Sequence, residues 1–502
     1  MTSPRLPSGA TTKHAAFFRF RQIGERVLLT GIDGGWILLE SDEFEAFTRG
    51  ELEEGSSLFE RLRAKNFLRD HVDVPAAAAS IRRRKRFIHS GPNLHVLVLT
   101  LRCNETCAYC HASRANMDAV QTDMTAEVAE KTVDFLLQTT NPYVTIEFQG
   151  GEPLVNWEVL KHVVHYALDK SRRLGKELEF TMVSNLALMT EEKLSWLLEH
   201  RVQICTSIDG PQDIHDKQRK LAGGSSHEVA SGWIRRINEK YSELNLDPTL
   251  YHVEALVTTT RPLLSRWKDL VDTYVDLGCR ALFLRPLDPF GWASRTAHLF
   301  EYPRSEYLEF YRSAVDYMIE LNLQGVEILE RYAAIFLTKI LSGEDPNFLD
   351  IRSPSGAGIG QLAYNYDGRI FTCDEGRMLH HSGDDTFALG NVSTSSYREV
   401  VGHETVRAVV IASQLEGQPD CVNCVYVPYC GIPPVHSYKT QGTLFGRMRE
   451  STLCQVHKGI QDYLFEKLGD SDAETLAVLE RWTTNRSRDH FLHPAETNPS
   501  SS

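Results

Sequence analysis

Leu101-Arg102-Cys103-Asn104-Glu105-Thr106-Cys107-Ala108-Tyr109-Cys110-His111 is the stretch on which the reading of this chain turns. Three thiolates at this spacing can hold three irons of a 4Fe–4S cluster and leave the fourth iron open. Four cysteines ordinarily close such a cluster, so a run that stops at three reserves one iron for another ligand. Taken alone, the run also allows a zinc site or three unrelated buried thiols. Residues 95–101 are apolar and read as a buried strand, which puts the cysteine loop at a strand's C-terminal end. In a β/α barrel that end carries the chemistry.

Downstream, strand and helix patterns alternate, as in parallel β/α units. Strands are predicted at 95–101, 144–149, 178–184, 203–209, 252–258 and 281–286. Helical periods lie between them at 125–137, 157–174, 191–200 and 265–277, with two more at 305–323 and 327–341. Six units are too few for an eight-stranded barrel and predict an α/β fold with a partial barrel over 94–345.

Several polar residues end these strands. Gly150-Gly151-Glu152-Pro153 follows the second strand. Its glycines let the backbone approach a ligand closely, and Glu152 can accept a hydrogen bond from a cationic amine. Ser184-Asn185 closes the third strand as polar ligand contacts or a simple turn. Asp209, followed by His215, Asp216 and Arg219, closes the fourth, where Asp209 can also serve only the turn amides. Arg285 ends the sixth, as a carboxylate partner or a structural ion pair. Cys205 and Cys279 sit in apolar segments and read as inert core thiols.

The 502 residues exceed one simple domain, and 42% hydrophobic and 24% charged residues suit a large core. A net charge of -13 argues against nucleic acid, which needs a basic footprint. The sequence contains no long apolar run and no signal-peptide pattern, so a membrane role is not expected and a cytoplasmic location is. Ten cysteines in that compartment read as metal ligands rather than disulfides.

Residues 1–13 read as a disordered tail and 14–75 as a small α+β unit. Strands at 26–30 and 35–40 flank Asp33-Gly34, a hairpin signal. Ser41 or Asp42 is the expected helix cap, Asp42 having Glu45 at capping-box spacing, and a second helix is predicted over 57–67. Residues 76–93 form a basic linker whose Arg82-Arg83-Arg84-Lys85-Arg86 run reads as a solvated face, with contacts to a neighbouring domain or an acidic peptide as the alternative. Residues 346–460 form a Gly- and Cys-rich domain, and 461–502 a C-terminal helix with a tail disordered after about Asn485. Cys421, Cys424, Cys430 and Cys454 supply four thiolates, enough for a second cluster or a zinc knuckle.

Together the CxxxCxxC run and the Gly-Gly-Glu turn one strand later resemble the radical S-adenosylmethionine (SAM) enzymes. That resemblance implies a TIM-like (β/α)6 barrel, a 4Fe–4S cluster on Cys103, Cys107 and Cys110, and SAM on the open iron. Gly150, Gly151 and Glu152 would bind its amino group, Tyr109 the adenine, and Ser184, Asn185 and Arg285 its remaining polar groups. The C-terminal cysteines resemble the SPASM extension of peptide maturases, but depart from it. Ser355 stands where a first cysteine is expected before Gly368 and Cys373, and Pro433-Pro434 where another follows Cys430. The resemblance therefore implies one auxiliary 4Fe–4S cluster, on Cys421, Cys424, Cys430 and Cys454. Asp374, after Cys373, occupies the place of a catalytic carboxylate in sulfatase-maturing relatives, a structural turn being the alternative. The N-terminal unit resembles winged-helix peptide-recognition modules, or is a cap that packs on the barrel.

The N-terminal Phe-Arg-Phe element and Gln-Leu-Ala-Tyr-Asn-Tyr-Asp-Gly…Thr-Cys-Asp-Glu-Gly-Arg-Met resemble the His-Xaa-Ser system radical SAM maturases, HxsB. That implies oxidative modification of a small, ribosomally made His-Xaa-Ser peptide. It also implies a sister radical SAM subunit and a flavodoxin- or ferredoxin-type reductant. An anaerobic sulfatase-maturase-like enzyme, a non-catalytic Fe–S peptide-recognition subunit and a zinc scaffold are the competing readings.

Overall fold

The computed structural model describes residues 6, 10, 11 and 13–495. The expected N-terminal tail and the end of the C-terminal one fall almost wholly outside them.

The N-terminal unit is an antiparallel sheet of β1 (Arg19–Ile23), β2 (Arg26–Thr30) and β3 (Trp36–Leu39), packed with two helices. The β2–β3 hairpin turns where expected: Gly35 donates to the Asp33 carboxylate at 3.0 Å, and Gly34 takes φ +84°. The first helix, Ser41–Arg49, is capped by Glu40, with the Glu43 carboxylate accepting from the Glu40 amide. This corrects the expectation of Ser41 or Asp42 with Glu45, because the extended residue leaving β3 is Glu40, which moves the box back. The second helix, Ser57–Ala64, ends before Phe67, where Asn66 turns the chain at φ +61°. Val27, Leu29, Phe47, Leu62 and Phe67 give the unit its own core.

Asp73 caps the linker helix Val74–Arg84. Its basic run is only in part a solvated face. Arg82 and Arg86 are exposed, but Arg84 donates to the carbonyls of Asp33 and Lys339, and Lys85 pairs with Glu416 at 2.6 Å.

The six predicted barrel strands are all present: β4 (Leu94–Val98), β6 (Tyr143–Gln149), β7 (Glu177–Val183), β8 (Val202–Ser207), β10 (Glu254–Thr258) and β11 (Ala281–Arg285). Two short strands outside the barrel sheet, β5 (Glu105–Cys107) and β9 (Arg219–Leu221), pair with each other. The barrel sheet runs past six strands. β12 (Leu329–Glu330) joins β11 in parallel, and β13 (Gln361–Tyr364) joins β4 in parallel. β14 (Arg369–Phe371) and β15 (Ala388–Asn391) then extend it antiparallel. The helix predicted from 327 therefore starts later, at Arg331–Leu337. Glu330 is held in the sheet by accepting from Leu284 and Tyr311, and it caps that helix through Ala333. Leu97, Phe148, Phe180 and Ile204 fill the core between sheet and helices.

The chain after Asn485 is ordered through residue 495, against expectation. β16 (Leu492–His493) pairs with β7, Phe491 is buried beside Tyr241, and Arg488 binds Glu179. One buried aromatic and one buried acid anchor a segment whose composition reads as a tail. Among the described residues, no helix is long and apolar enough to cross a membrane.

Candidate functional site

The cysteine loop leaves β4 at the C-terminal end of the sheet and is clamped from two sides. β5 pairs with β9, setting Cys107 opposite Arg219, and Ala108 donates to the Gln218 carbonyl at 2.8 Å. On the other side the Trp292 amide donates to the Cys110 carbonyl, and Thr296 Oγ1 to that of Ala108, both at 2.8 Å. Asp209, fully buried at the end of β8, accepts from Arg219 Nε at 2.9 Å and from the Tyr109 hydroxyl. The Arg219 guanidinium lies 5.3 Å from the Tyr109 ring centre and 3.9 Å from Cys107 Sγ. Tyr109 is thus held by its hydroxyl and by one ring face. Burial raises the Cys107 thiol, and the Arg219 cation opposes that shift. The sequence reading flagged Asp209 and Arg219 without their role: they brace the loop that carries the thiols.

The Gly-Gly-Glu turn seats directly on this loop. A Cβ on Gly150 would lie 2.3 Å from the Thr100 carbonyl oxygen, and one on Gly151 2.4 Å from those of Leu101 and Arg102. Glu152 is fully buried and accepts from the Leu154 amide, the Ser184 hydroxyl and the Asn185 amide at 2.8–2.9 Å. Asn185 Nδ2 in turn lies 3.8 Å from Cys103 Sγ. Burial pushes the Glu152 carboxyl up to about 7. Among the described residues no cation lies within ion-pair distance of it. A desolvated carboxylate ringed by neutral donors is completed by a cationic ligand.

A cavity at the barrel mouth is lined by Arg285, Asp288, Tyr332, Asp350, Glu375 and His457, among others. Burial raises Asp288 to about 7 and Glu375 to about 8, with Asp350 adding repulsion to both. Arg285 forms no ion pair within 4 Å among the described residues. Asp374 does not line the cavity; it binds the fully buried Arg377 at 2.7 Å. The sequence reading missed Asp288, Asp350 and Glu375. Asp288 lies three residues past a strand end and Glu375 beside Asp374, signals too common to single out.

Cys421, Cys424, Cys430 and Cys454 gather around Leu415, Ile432 and Met448. Burial pushes the Cys421 thiol up to about 12 and the Cys454 thiol to about 11, with the Lys458 amine opposing the latter. His457 links this group to the barrel mouth, its Nδ1 lying 4.0 Å from Cys430 Sγ. Cys373 is buried among Phe290, Ala357, Phe387 and Val435, and Ser355 serves a turn at Ala357. Among the described residues no three His, Cys, Asp or Glu side chains converge as a single metal ion requires. Zinc draws four thiolates to about 2.3 Å from one point, whereas a 4Fe–4S cluster gives each thiolate its own iron.

Residues 97–250 match the family model of the radical SAM superfamily. A cysteine-type anaerobic sulfatase-maturating enzyme of Clostridium perfringens is 23% identical over 378 residues, 73% of this chain and 94% of that one. An uncharacterized protein of Methanocaldococcus jannaschii is 31% identical over 129 residues, and the alignment spans 26% of this chain and only 42% of that protein's length. Native anSMEcpe with bound AdoMet superimposes with TM-score 0.62 at 19% identity, over 77% of this chain and 99% of that one. Streptococcus suis SuiB bound to precursor peptide SuiA gives 0.52 at 13%, over 87% and 98%. At these identities the structures share the fold. The chain carries a radical SAM domain and is an enzyme, with a 4Fe–4S cluster and SAM as that domain's cofactors.

Proposed function

We propose that this enzyme is a peptide maturase whose substrate is a small His-Xaa-Ser-type precursor. The observation that carries its radical SAM chemistry is the buried Glu152 carboxylate, which has no cation within ion-pair distance among the described residues and connects through Asn185 to Cys103. The amino group of SAM supplies that cation, and Arg285 accounts for its carboxylate. In this reading Cys103, Cys107 and Cys110 hold the cluster, while Asp209, Arg219 and Tyr109 keep the loop rigid. The cluster that Cys103, Cys107 and Cys110 would hold, with SAM at Glu152, would supply one-electron radical chemistry at a C–H bond of the peptide. The chain's own part is to fix distance and exclude water.

Cys421, Cys424, Cys430 and Cys454 would hold one auxiliary cluster, which would supply an electron acceptor for the oxidation or brace the substrate pocket. The barrel-mouth carboxylates Asp288, Asp350 and Glu375 suit a substrate with a basic side chain, as the histidine of such a peptide is. Asp374 and Glu375 are both candidates for moving a proton there. Glu375 opens on the cavity, whereas Asp374 is tied to Arg377. A cytoplasmic setting, a sister subunit and a flavodoxin- or ferredoxin-type donor complete the proposal.

The test is anaerobic reconstitution, with iron counted per chain and 5′-deoxyadenosine measured under dithionite, followed by mass analysis of a His-Xaa-Ser peptide. About eight irons, SAM cleavage and a mass loss on the peptide are expected. Clusters without 5′-deoxyadenosine would move the chain to the recognition-subunit reading, and zinc in place of iron would remove the assignment. A sulfatase-type substrate is the second reading, favoured by the similarity over 73% of the chain to the Clostridium perfringens enzyme. Conversion of a Cys- or Ser-type sulfatase peptide decides for it.

A further inference from the structure

A cleft that the proposed chemistry does not use lies where β1, the linker helix and the C-terminal cysteine domain meet. Its walls include Arg19, Arg84, Lys85, Lys339, Glu416 and Cys430. Lys85 is neutralised by Glu416 at 2.6 Å. The other two carboxylates on the walls, Glu344 and Asp345, are taken by Arg83 and Arg352. Arg19, Arg84 and Lys339 are left, and among the described residues none of them has a carboxylate within 4 Å. Arg19 is 5% exposed and Lys339 8%.

Arg84 spends its donors on backbone carbonyls of Asp33, Gly34 and Lys339, and Lys339 donates to that of Ile351. Arg19 Nε donates to the Val422 carbonyl at 2.8 Å, but its Nη1 is buried with no hydrogen-bond partner. Buried cations are stable only when paired, so Arg19 and Lys339, with the half-buried Arg84 beside them, mark the place of an anion. Burial lowers Arg19 and Arg84 and pulls Lys339 down to about 8, with Glu416, Asp33 and Asp345 respectively opposing the shift from beyond ion-pair distance.

We propose that this cleft is an anion site that takes the carboxylates of an acidic segment of the peptide substrate. The inference rests on the peptide-maturase reading. Arg19 is tethered at Val422 and Arg84 reaches toward the Pro428 carbonyl at 3.4 Å, so the charges follow the cysteine loop rather than focus on one point. Spread charge suits carboxylates spaced along an extended chain. A competing role exists, because Cys424 and Cys430 lie near enough to act electrostatically on Arg19 and Lys339. The cations would then be counter-charges to the four-cysteine group.

The experiment uses the reconstituted full-length protein without SAM. Fluorescence anisotropy follows a labelled peptide rich in Asp and Glu, and its Asn/Gln counterpart. The acidic peptide is expected to bind at least tenfold more tightly and to weaken with salt. Arg19→Gln should lose about tenfold. Arg19→Lys should retain most of the binding, and Lys339→Met serves should the first variant fold poorly. Equal binding of both peptides, or wild-type binding by the variants, overturns the site. Inorganic phosphate binding with Arg19 dependence, while the acidic peptide does not bind, overturns the peptide source. Variants that shift the potential of the auxiliary cluster but not peptide binding assign the cations to the cluster. Acidic-peptide binding that depends on Arg19, while a His-Xaa-Ser peptide stays unmodified once SAM and dithionite are added, would sink the maturase reading and leave the site standing.

Discussion

Glu152 is where sequence, burial and chemistry meet most closely. Its carboxyl sits near 7 rather than at its ordinary value of 4.5, and burial is the largest cause. Because the folded value is raised, the folded protein holds a proton that the unfolded chain has released between about pH 4.5 and 7. Stability conferred by the neutral acid is therefore lost as pH rises through that window, in total about 3 kcal/mol. Glu152→Gln should unfold at the same temperature as wild type near pH 4.5 and at a higher one above pH 7, while losing SAM cleavage. Paired calorimetric scans from pH 5 to 8 check this; a gap that does not change with pH would mean the carboxylate is already compensated. Asp209→Asn makes the second residue-scale case. Asp209 is fully buried and Arg219 nearly so, and breaking such a pair by removing one partner costs about 3–5 kcal/mol. That cost falls on the cysteine loop, so iron per reconstituted chain should drop from about eight toward about four. Unchanged iron would show that β5 and β9 hold the loop without this pair. The three loop cysteines and Glu152 were legible because their spacing encodes the chemistry. Asp288, Asp350 and Glu375 were not, because each comes from a different segment and only the fold brings them to one cavity.

At the scale of elements, the Gly-Gly-Glu turn shows how one backbone contact fixes a site. A Cβ on Gly151 would stand 2.4 Å from two carbonyl oxygens of the chain leading into Cys103, and backbone cannot rotate away. Gly151→Ala should displace the turn from the cysteine loop, lower stability by about 1–3 kcal/mol and remove SAM binding. Gly224→Ala is the control, since nothing lies within 4 Å of its Cβ. Equal melting temperatures for the two variants would refute the close-contact argument. The same scale marks the limits of periodicity. The six barrel strands span five to seven residues, most with an apolar residue at every second position, and were found to within a few residues. β12, two residues long, and β16, also two, carry no period at all. They are strands because Glu330 and Phe491 are buried where they are, which is tertiary information. The helix cap moved from Ser41 or Asp42 to Glu40 for a related reason, since the exit from β3 decides which residue is extended.

Across the whole molecule the N-terminal unit is bolted to the cysteine domain. Arg21 pairs with Asp462 at 2.7 Å, Thr30 Oγ1 donates to the Val425 carbonyl at 2.7 Å, and the Tyr429 hydroxyl donates to that of Gly34 at 3.0 Å. Val425 and Tyr429 lie between Cys424 and Cys430, and Asp462 lies on the helix Thr452–Asp470, whose first turn carries Cys454. Any group that fixes the four cysteines therefore also fixes the surface on which the N-terminal sheet rests. Removing one ligand should loosen that sheet at a distance and leave the barrel intact. For Cys454→Ala we expect the loss of about four irons per chain. Amide exchange should quicken across β1, β2 and β3, with no change in β4 or β6 through β8. SAM cleavage should persist while peptide modification fails, because Cys103, Cys107 and Cys110 belong to a different part of the fold. Hydrogen exchange with mass detection on the reconstituted variant reads all of these segments together. Exchange that quickens in the barrel as well would mean that the domains unfold as one unit. Exchange unchanged in β1–β3 would mean that the Arg21, Thr30 and Tyr429 contacts hold the sheet without the cluster.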